Sequence, residues 1–515
     1  MIKIEIDKKS DQPLYIQIRD SLEQAIINKT LKPGDKLPSV TCFAKDVGVT
    51  QATIRRALED LSKQGFTKCH VGRGTFIEDF EGKKQMVGDA AINSFKENFN
   101  VFRSSHARPE LKFAARRLRR GISDGLNELM NLAQQEDLIT FGKGIPDPGL
   151  HEPGFFEAMV KDALLENQEK YISNMDCQGL IEFREEIAAH YAVKGVHITP
   201  DQVLITNGSM QAATLAALDA AEKKQPVICE TPCFQGITET FSAHGNWVDT
   251  VLRDESGPVP EYLEQFTGLP FLLYVCPEFH SPMGTNMTPE RHGALVEWAK
   301  KNKATILSDE IFQDLRFEGG PLQSFYNTLG EEQTIIISSV SKSLMSGLRV
   351  GWMISSAARI REFTRLKRLM DHSCPPLMQG IVAKLFRSGK YEEHLSRIRK
   401  IYSERRNLML ERLKQLMPEG VTWTTPLGGF SLWVTLPEGY SSIALLLSAI
   451  DKGINFLPGP LFDIDQRFVR HFRLSYAWSD PEKIIEGTEI LAEAVKELLR
   501  RPPGDAGLSG LGNFQ

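Results

Sequence analysis

Long apolar runs are missing from this 515-residue chain. No stretch reaches the roughly 18 residues that a membrane-crossing helix needs, and the opening MIKIEIDKKSD has no signal-peptide core, so the protein is expected in the cytoplasm with no membrane partner. Cysteine is sparse and odd in number, seven in all, which excludes a disulfide framework and argues for reduced thiols. Cys229 and Cys233 stand four apart, but no histidine or second cysteine pair completes a zinc set, so no metal site is expected. Charge of one sign is also lacking: 61 Lys+Arg against 66 Asp+Glu give a net charge of -5, too little positive charge to coat nucleic acid by bulk electrostatics. Neither an internal repeat nor a low-complexity tract occurs, apart from the Gly/Pro-rich RPPGDAGLSGLGNFQ at 501–515, an expected disordered tail.

What is present is enough apolar residue, 41%, for a large core, and strings that carry chemistry. Residues 338–352 read SSVSKSLMSGLRVGW after the apolar Thr334-Ile335-Ile336-Ile337. A strand delivers Lys342 into a Ser- and Gly-rich loop, with Arg349 seven residues on. A lysine there can form a Schiff base with a carbonyl cofactor while hydroxyls, N–H groups and a guanidinium clamp a phosphate. Taken alone, the string reads equally as a surface lysine in a Ser-rich turn.

Neighbouring strings bear on that choice. In ATILSDEIFQD a short strand over Ala304 to Leu307 leads to Asp309, where a buried carboxylate would keep a pyridine nitrogen protonated; Asp309 taken singly also reads as a helix cap. VLITNGSMQAATLAALDAA gives a strand over Val203 to Thr206, then Gly208-Ser209 opening a helix whose free N–H groups suit a phosphate. A strand over Pro226 to Cys229 precedes ETPCF, where Phe234 offers a flat surface, though core is its default. Phe271 to Val275 lead to CPEFHSPMG, and FRLSYAW at 472–478 sets Arg473 on a strand, where an arginine wants a carboxylate.

In this order the elements resemble the fold-type I pyridoxal phosphate proteins, the aspartate aminotransferase superfamily, from about Gly142 to Leu499. The resemblance implies that Lys342 forms the internal aldimine with pyridoxal 5'-phosphate and Asp309 pairs with the ring nitrogen. It implies that Gly208, Ser209, Ser339 and Arg349 hold the phosphate, that Phe234 stacks on the ring, and that Arg473 takes an α-carboxylate beside Gly144 of FGKGIPDP. Relatives carry Asn at Ser281 and Tyr at Phe312, both donors to the cofactor's phenolic oxygen, so transamination is expected to be weakened here even if Ser281 still faces the cofactor. The family's phosphate-binding Tyr is also displaced: Asn174 stands at its place and Tyr171 three residues earlier.

The first eighty residues differ in kind. A helix pattern over Pro13 to Asn28 with Leu14, Ile18, Leu22 and Ile26 on one face leads to LKPGDKLPSV, the helical FAKDVGV and a turn at Gly48. Thr50 then caps a second helix, with Ile54, Leu58 and Leu61 apolar, and Gly65-Phe66 and HVGRGTFIE close the segment as a hairpin. This is helix-turn-helix spacing followed by a wing, and it resembles the head of GntR-family transcription regulators. On that resemblance Ser39, Thr50, Gln51 and Thr53 approach DNA at the helix starts, and Arg55, Arg56 and Arg73 are placed for phosphates. Family members often carry Arg where Thr41 stands. The arginines also read as charges solvating a helix face.

The expected fold is α/β: a winged helix-turn-helix at 11–79, a linker at 80–122 and an aminotransferase-like body at 123–500 with a smaller C-terminal α/β subdomain. The linker's KFAARRLRR at 112–120 reads either as an auxiliary DNA contact or as a segment docked on its own body. The combination resembles the MocR subfamily. That resemblance implies a pyridoxal phosphate-dependent regulator, a head-to-tail homodimer on double-stranded DNA, sensing an amino acid, an amine or the cofactor. An active aminotransferase carrying a DNA-binding head is the rival reading, and a body that only dimerises is a third.

Overall fold

The computed structural model describes residues 14–27, 30–32, 34–63, 67–70, 74–77, 138–152, 154–173 and 176–503. Arg73, Asn174, the linker 80–122 and most of the tail therefore lie outside the described residues. The chain divides into two compact units, 1–112 and 113–515.

The first unit holds three helices, α1 (Leu14–Ile27), α2 (Val40–Val47) and α3 (Gln51–Lys63), and an antiparallel hairpin of β1 (Thr67–His70) and β2 (Gly74–Ile77). Ile18, Leu22 and Ile26, spaced by four along α1, bury one stripe against Ile54, Ala57, Leu58 and Leu61 of α3 and Phe43 of α2. The α2–α3 turn is set by Gly48, whose φ of 71° suits glycine and whose N–H donates to the Ala44 carbonyl at 3.0 Å. Lys36 pairs with Phe76, and Leu37 N–H to Thr75 O (2.9 Å) with Ile77 N–H to Asp35 O (2.8 Å) adds a third strand to the hairpin.

The second unit is built on an eight-stranded sheet. Its strands are β3 (Val203–Thr206), β4 (Val227–Thr231), β5 (Val248–Asp254), β6 (Leu272–Val275), β7 (Thr305–Asp309), β8 (Thr334–Ser339) and β9 (Gly351–Ile354), with the short Gly257–Pro258 at one edge. The order is β3-β9-β8-β7-β6-β4-β5-edge. β8, β7, β6, β4 and β5 run parallel, and β8, β7, β6 and β4 are buried along their whole length, as strands covered on both faces are. Only β9 between β3 and β8, and the edge pair, run antiparallel. One row crosses three strands: Thr206 faces Gly351, and Gly351 faces Ser339. β4 extends to Thr231, past the expected Cys229, and β7 begins at Thr305 and includes Asp309.

Helices cover both faces, among them α4 (Phe155–Ile172), α5 (Ser209–Glu222), α6 (Ala357–Met370) and α7 (Lys390–Leu416). A smaller antiparallel sheet joins Thr422–Trp423, β10 (Ser431–Thr435), β11 (His471–Ser475) and Leu457–Pro458. The carboxy-terminal α8 (Pro481–Leu499) packs along α7. Among the described residues no helix is long and apolar enough to cross a membrane, no side-chain cluster could hold a metal ion, and the cysteine side chains are free thiols with only Cys42 exposed.

Candidate functional site

The ends of β3, β7 and β8 bring Gly208, Asp309 and Lys342 to the same edge of the eight-stranded sheet. β3 leads through Asn207 and Gly208 into α5, so the unpaired N–H groups at the start of that helix face the turn. Gly208 holds φ 86° and ψ 171°, and a Cβ there would sit 2.7 Å from Arg349 Nη2. Only glycine lets the guanidinium approach so closely. Arg349 itself has φ 52° and donates to Asn207 O at 3.0 Å. Behind the turn, Asp371 accepts from Asn207 Nδ2 (2.8 Å), Gln211 Nε2 (2.7 Å) and the fully buried Lys367 (2.5 Å). The cradle is thus fixed from below, by residues whose sequence signature is an ordinary helix end.

β8 delivers Lys342. Its Nζ donates to Gly144 O at 2.5 Å and lies 5.8 Å from the centre of the Phe312 ring. Burial, and then the Arg473 guanidinium, push the ammonium down to about 8 against the pull of Asp309. The loop that follows is held by two imidazoles whose charged form burial disfavours: His394 Nε2 lies 3.1 Å from Ser343 O and His151 Nε2 3.1 Å from Leu344 O, with the two rings stacked. Ser339 Oγ donates to Val350 O at 2.7 Å and accepts from Ser341 N–H at 3.0 Å. Its proton is committed within the loop, so Ser341, whose hydroxyl is 2.7 Å away, shares the position expected for Ser339 alone.

Asp309 ends β7 and is buried. It does not cap a helix; its Oδ1 accepts from Ile311 N–H (3.1 Å) in a turn, and its Oδ2 accepts from Tyr274 Oη (2.8 Å) of the neighbouring β6. Burial pushes the carboxyl up to about 6, and the Tyr274 hydroxyl is the largest influence holding it down. Tyr274 was not foreseen, because a tyrosine in the apolar LLYV reads as core.

A measurable pH effect follows from this pair. With its folded value raised from 3.8 to about 6, the stability that Asp309 contributes is complete below 3.8 and is lost as pH rises through about 6. Tyr274→Phe removes a donor to the ionised form and raises that value further. The variant should lose about 1–3 kcal/mol at pH 8 and far less near pH 4. Urea unfolding of the cofactor-free protein at both pH values checks this, and an equal loss at each would deny Tyr274 its role.

Arg473, on β11, is buried yet has no carboxylate within ion-pair distance among the described residues. Its Nη2 donates to Gly142 O at 2.5 Å, its Nε has no partner, and burial pushes it down to about 10. The strap through Gly142 and Gly144 therefore touches both cations. A Cβ on Gly144 would lie 3.3 Å from both Nη1 and Nη2 of Arg473. One end of the strap is tied by Phe141 N–H to Asn455 O (2.9 Å), the other by Asp147 to Arg405 (2.8 Å).

Phe312 is buried edge-on to Phe430, with no hydroxyl to offer a cofactor. Ser281 precedes a cis proline in the segment before β7. Phe234 departs from its default: it is 46% exposed, not core, with its ring over Gly236 of its own helix, where a Cβ would meet it at 2.6 Å. Tyr171 packs against Gly380.

In the head, Gln51 and Arg55 are exposed at the start of α3, while Thr50 and Thr53 join hydroxyls at 2.8 Å and Thr50 Oγ1 accepts from Thr53 N–H at 3.2 Å. Ser39 spends its oxygen on Cys42 N–H at 3.3 Å as the cap of α2. Arg56 is exposed, but its guanidinium stacks over Tyr15 at 4.0 Å.

Fold and constellation together define a two-module protein, an aminotransferase-type body behind a winged helix-turn-helix. The chain belongs to the aminotransferase class I and II family, matched over residues 136–491, and carries a head of the bacterial regulatory gntR family, matched over 14–77, which makes it a transcription regulator of the MocR type. It is similar along its length to the HTH-type transcriptional regulator YisV of Bacillus subtilis, 25% identical over 96% of this chain and 98% of that one. A 2-aminoadipate transaminase of Thermus thermophilus is 30% identical over 73% of this chain and 94% of its own length. The kynurenine aminotransferase structure from Pyrococcus horikoshii, 30% identical, superposes with a TM-score of 0.67 over 73% of this chain and 95% of that one.

Proposed function

We propose that the body binds pyridoxal 5'-phosphate covalently through Lys342, detects a small amino acid or amine there, and changes the head's affinity for operator DNA accordingly. The observation that carries this reading is Arg473: a buried cation with an unpartnered Nε and no acidic partner among the described residues, held on the same strap as the Lys342 amine. A buried charge left without a counter-charge is costly, and an incoming carboxylate relieves that cost.

The residues present suit the cofactor, since the Gly208 cradle against Arg349 is one that a Cβ would fill and its donors suit an anion. Gly208, Ser209, Ser339 together with Ser341, and Arg349 would hold the phosphate, Asp309 the ring nitrogen, and Phe234 and Ser281 the ring's face and edge. The cofactor supplies an aldehyde and an electron-withdrawing ring. With its ammonium brought to about 8, Lys342 keeps about a tenth of its amine neutral at pH 7, where an ordinary lysine keeps under a thousandth. Arg473 orients a carboxylate, and Gly144 leaves the guanidinium room to do so.

The regulator would act in the cytoplasm as a head-to-tail homodimer on double-stranded DNA. A second reading, amino-acid transamination by the same body, is favoured by the 30% identity to a transaminase, while Phe312 in place of a hydroxyl donor weighs against efficient turnover.

The test is DNA binding to the protein's own upstream region, with and without cofactor and across a panel of amino acids and amines, with keto acid assayed in parallel. A shift of about 5- to 150-fold with one ligand and little keto acid supports sensing. Steady keto acid formation with unchanged DNA affinity would make the chain an enzyme first.

A further inference from the structure

The turn that carries Lys342 lies between β8 and the short helical turn at Ser346–Leu348, in neither helix nor strand, and two of its carbonyls are taken up by side chains from other parts of the body. From α7, the buried His394 sets Nε2 3.1 Å from Ser343 O, while Tyr391 Oη lies 2.7 Å from Ser343 Oγ and 2.8 Å from Asp314 Oδ2. From the segment that continues the strap past Asp147, His151 sets Nε2 3.1 Å from Leu344 O. A carbonyl accepts and never donates, so both imidazoles carry a proton on Nε2 and donate it to the turn. His151 Nδ1 is buried without a partner, so a second proton on that ring would have no acceptor. The two rings lie 5.2 Å apart and within 5° of parallel, and Phe155 at the start of α4 lies parallel to both, at 5.6 and 6.0 Å. Three rings thus form one rung between α4, α7 and the Lys342 turn.

We propose that His394 and His151 are positioning residues for Lys342: by donating to consecutive carbonyls of its turn they hold the amine at Gly144 O and beside the Phe312 ring. Their bonds go to the backbone and not to the amine, so they act by fixing where it stands. GLHEPGF and YEEHLSR are ordinary strings far apart in the chain, and the sequence gives no sign of the pair. Burial pushes both imidazoles down, His394 to about 4, and the charges near them are Arg397 for both rings and Asp147 for His151. Neither ring then titrates above pH 7, and a midpoint seen there belongs to the lysine, which faces Arg473, Asp309 and Arg349. Without the rung the turn is free to release the amine toward water. Burial is the main cause that holds the ammonium at about 8, so release raises that value, and each unit of rise leaves about tenfold less neutral amine at pH 7.

This inference rests on Lys342 being the reactive amine of the proposed site. The experiment labels the full chain, freed of cofactor, with a trace of acetic anhydride at a series of pH values above 7 and follows acetylation of each lysine by mass spectrometry. In the wild type the Lys342 midpoint should lie near 8. His394→Leu and His151→Leu should each raise it by about one unit, a tenfold loss of neutral amine at pH 7, with the midpoint of the exposed Lys301 unmoved. His394→Gln, which keeps an N–H donor where Nε2 stood, should restore the wild-type midpoint. Reloaded with pyridoxal 5'-phosphate, the leucine variants should hold it about tenfold more weakly and the glutamine variant should not. Circular dichroism and thermal unfolding establish that each variant is folded; His151 is only half-buried, so His151→Leu carries the test should His394→Leu fail to fold. An unchanged midpoint in the folded leucine variants overturns the inference, and so does a glutamine variant that shifts as far as the leucine one. A wild-type Lys342 midpoint at the ordinary lysine value would instead overturn the reading of Lys342 itself.

Discussion

Lys342→Ala should leave purification without bound cofactor. Wild-type protein incubated with pyridoxal 5'-phosphate and desalted should keep a visible band and release stoichiometric cofactor on denaturation, while the variant should release almost none. The reason is that the remaining contacts, the Gly208 turn and Arg349, hold the cofactor reversibly, whereas the lysine bond does not dissociate on desalting. Apparent affinity should fall by about 100-fold or more. The same residue tests the sensing hypothesis, since DNA affinity in the variant should stop responding to amines. Retention of the same band by the alanine variant would remove Lys342 from the centre of the site.

Arg473→Ala should separate amino acids from amines. A desolvated, charge-assisted guanidinium–carboxylate pair contributes about 3 kcal/mol or more, so an amino-acid ligand should bind about 100-fold more weakly to the variant. An amine without a carboxylate should change by less than about threefold, because it never uses the guanidinium. Spectral titration of the cofactor-loaded protein measures both. Equal weakening of the two ligand classes would mean that the substitution had disturbed the strap through Gly142 and that Arg473 is no carboxylate partner.

The readable parts of this molecule were those written in contiguous residues. Ser339 to Arg349, Val203 to Ser209 and Gly48 to Leu61 each pair a hydrophobic period with a turn residue whose conformation has one use, and their elements lie where that pattern puts them. Contacts made across the sheet were not readable. Tyr274 meets Asp309 only because β6 and β7 are parallel neighbours with Val275 opposite Ser308, and nothing in LLYV announces it. Asp371 reaches Asn207 from the end of a helix 164 residues away. Phe234 illustrates the opposite: an apolar residue whose default reading is core lies 46% exposed, because it stands at the start of its helix and leaves the ring outside.

β9 also bears on how such a protein can change over generations. It lies between the strand that feeds the Gly208 turn and the strand that feeds Lys342, and its Gly351 sits in one row with Thr206 and Ser339. A Cβ on Gly351 would lie 2.8 Å from Gly208 Cα and 2.8 Å from Ser338 O. One backbone position therefore sets the separation of the two halves of the site. The loop between Ser339 and Gly351 can lengthen outward without altering that separation, whereas almost any side chain at Gly351 would alter both halves at once. Drift toward new ligands then has an open route through loops and pocket walls, and a closed one through the sheet beneath them.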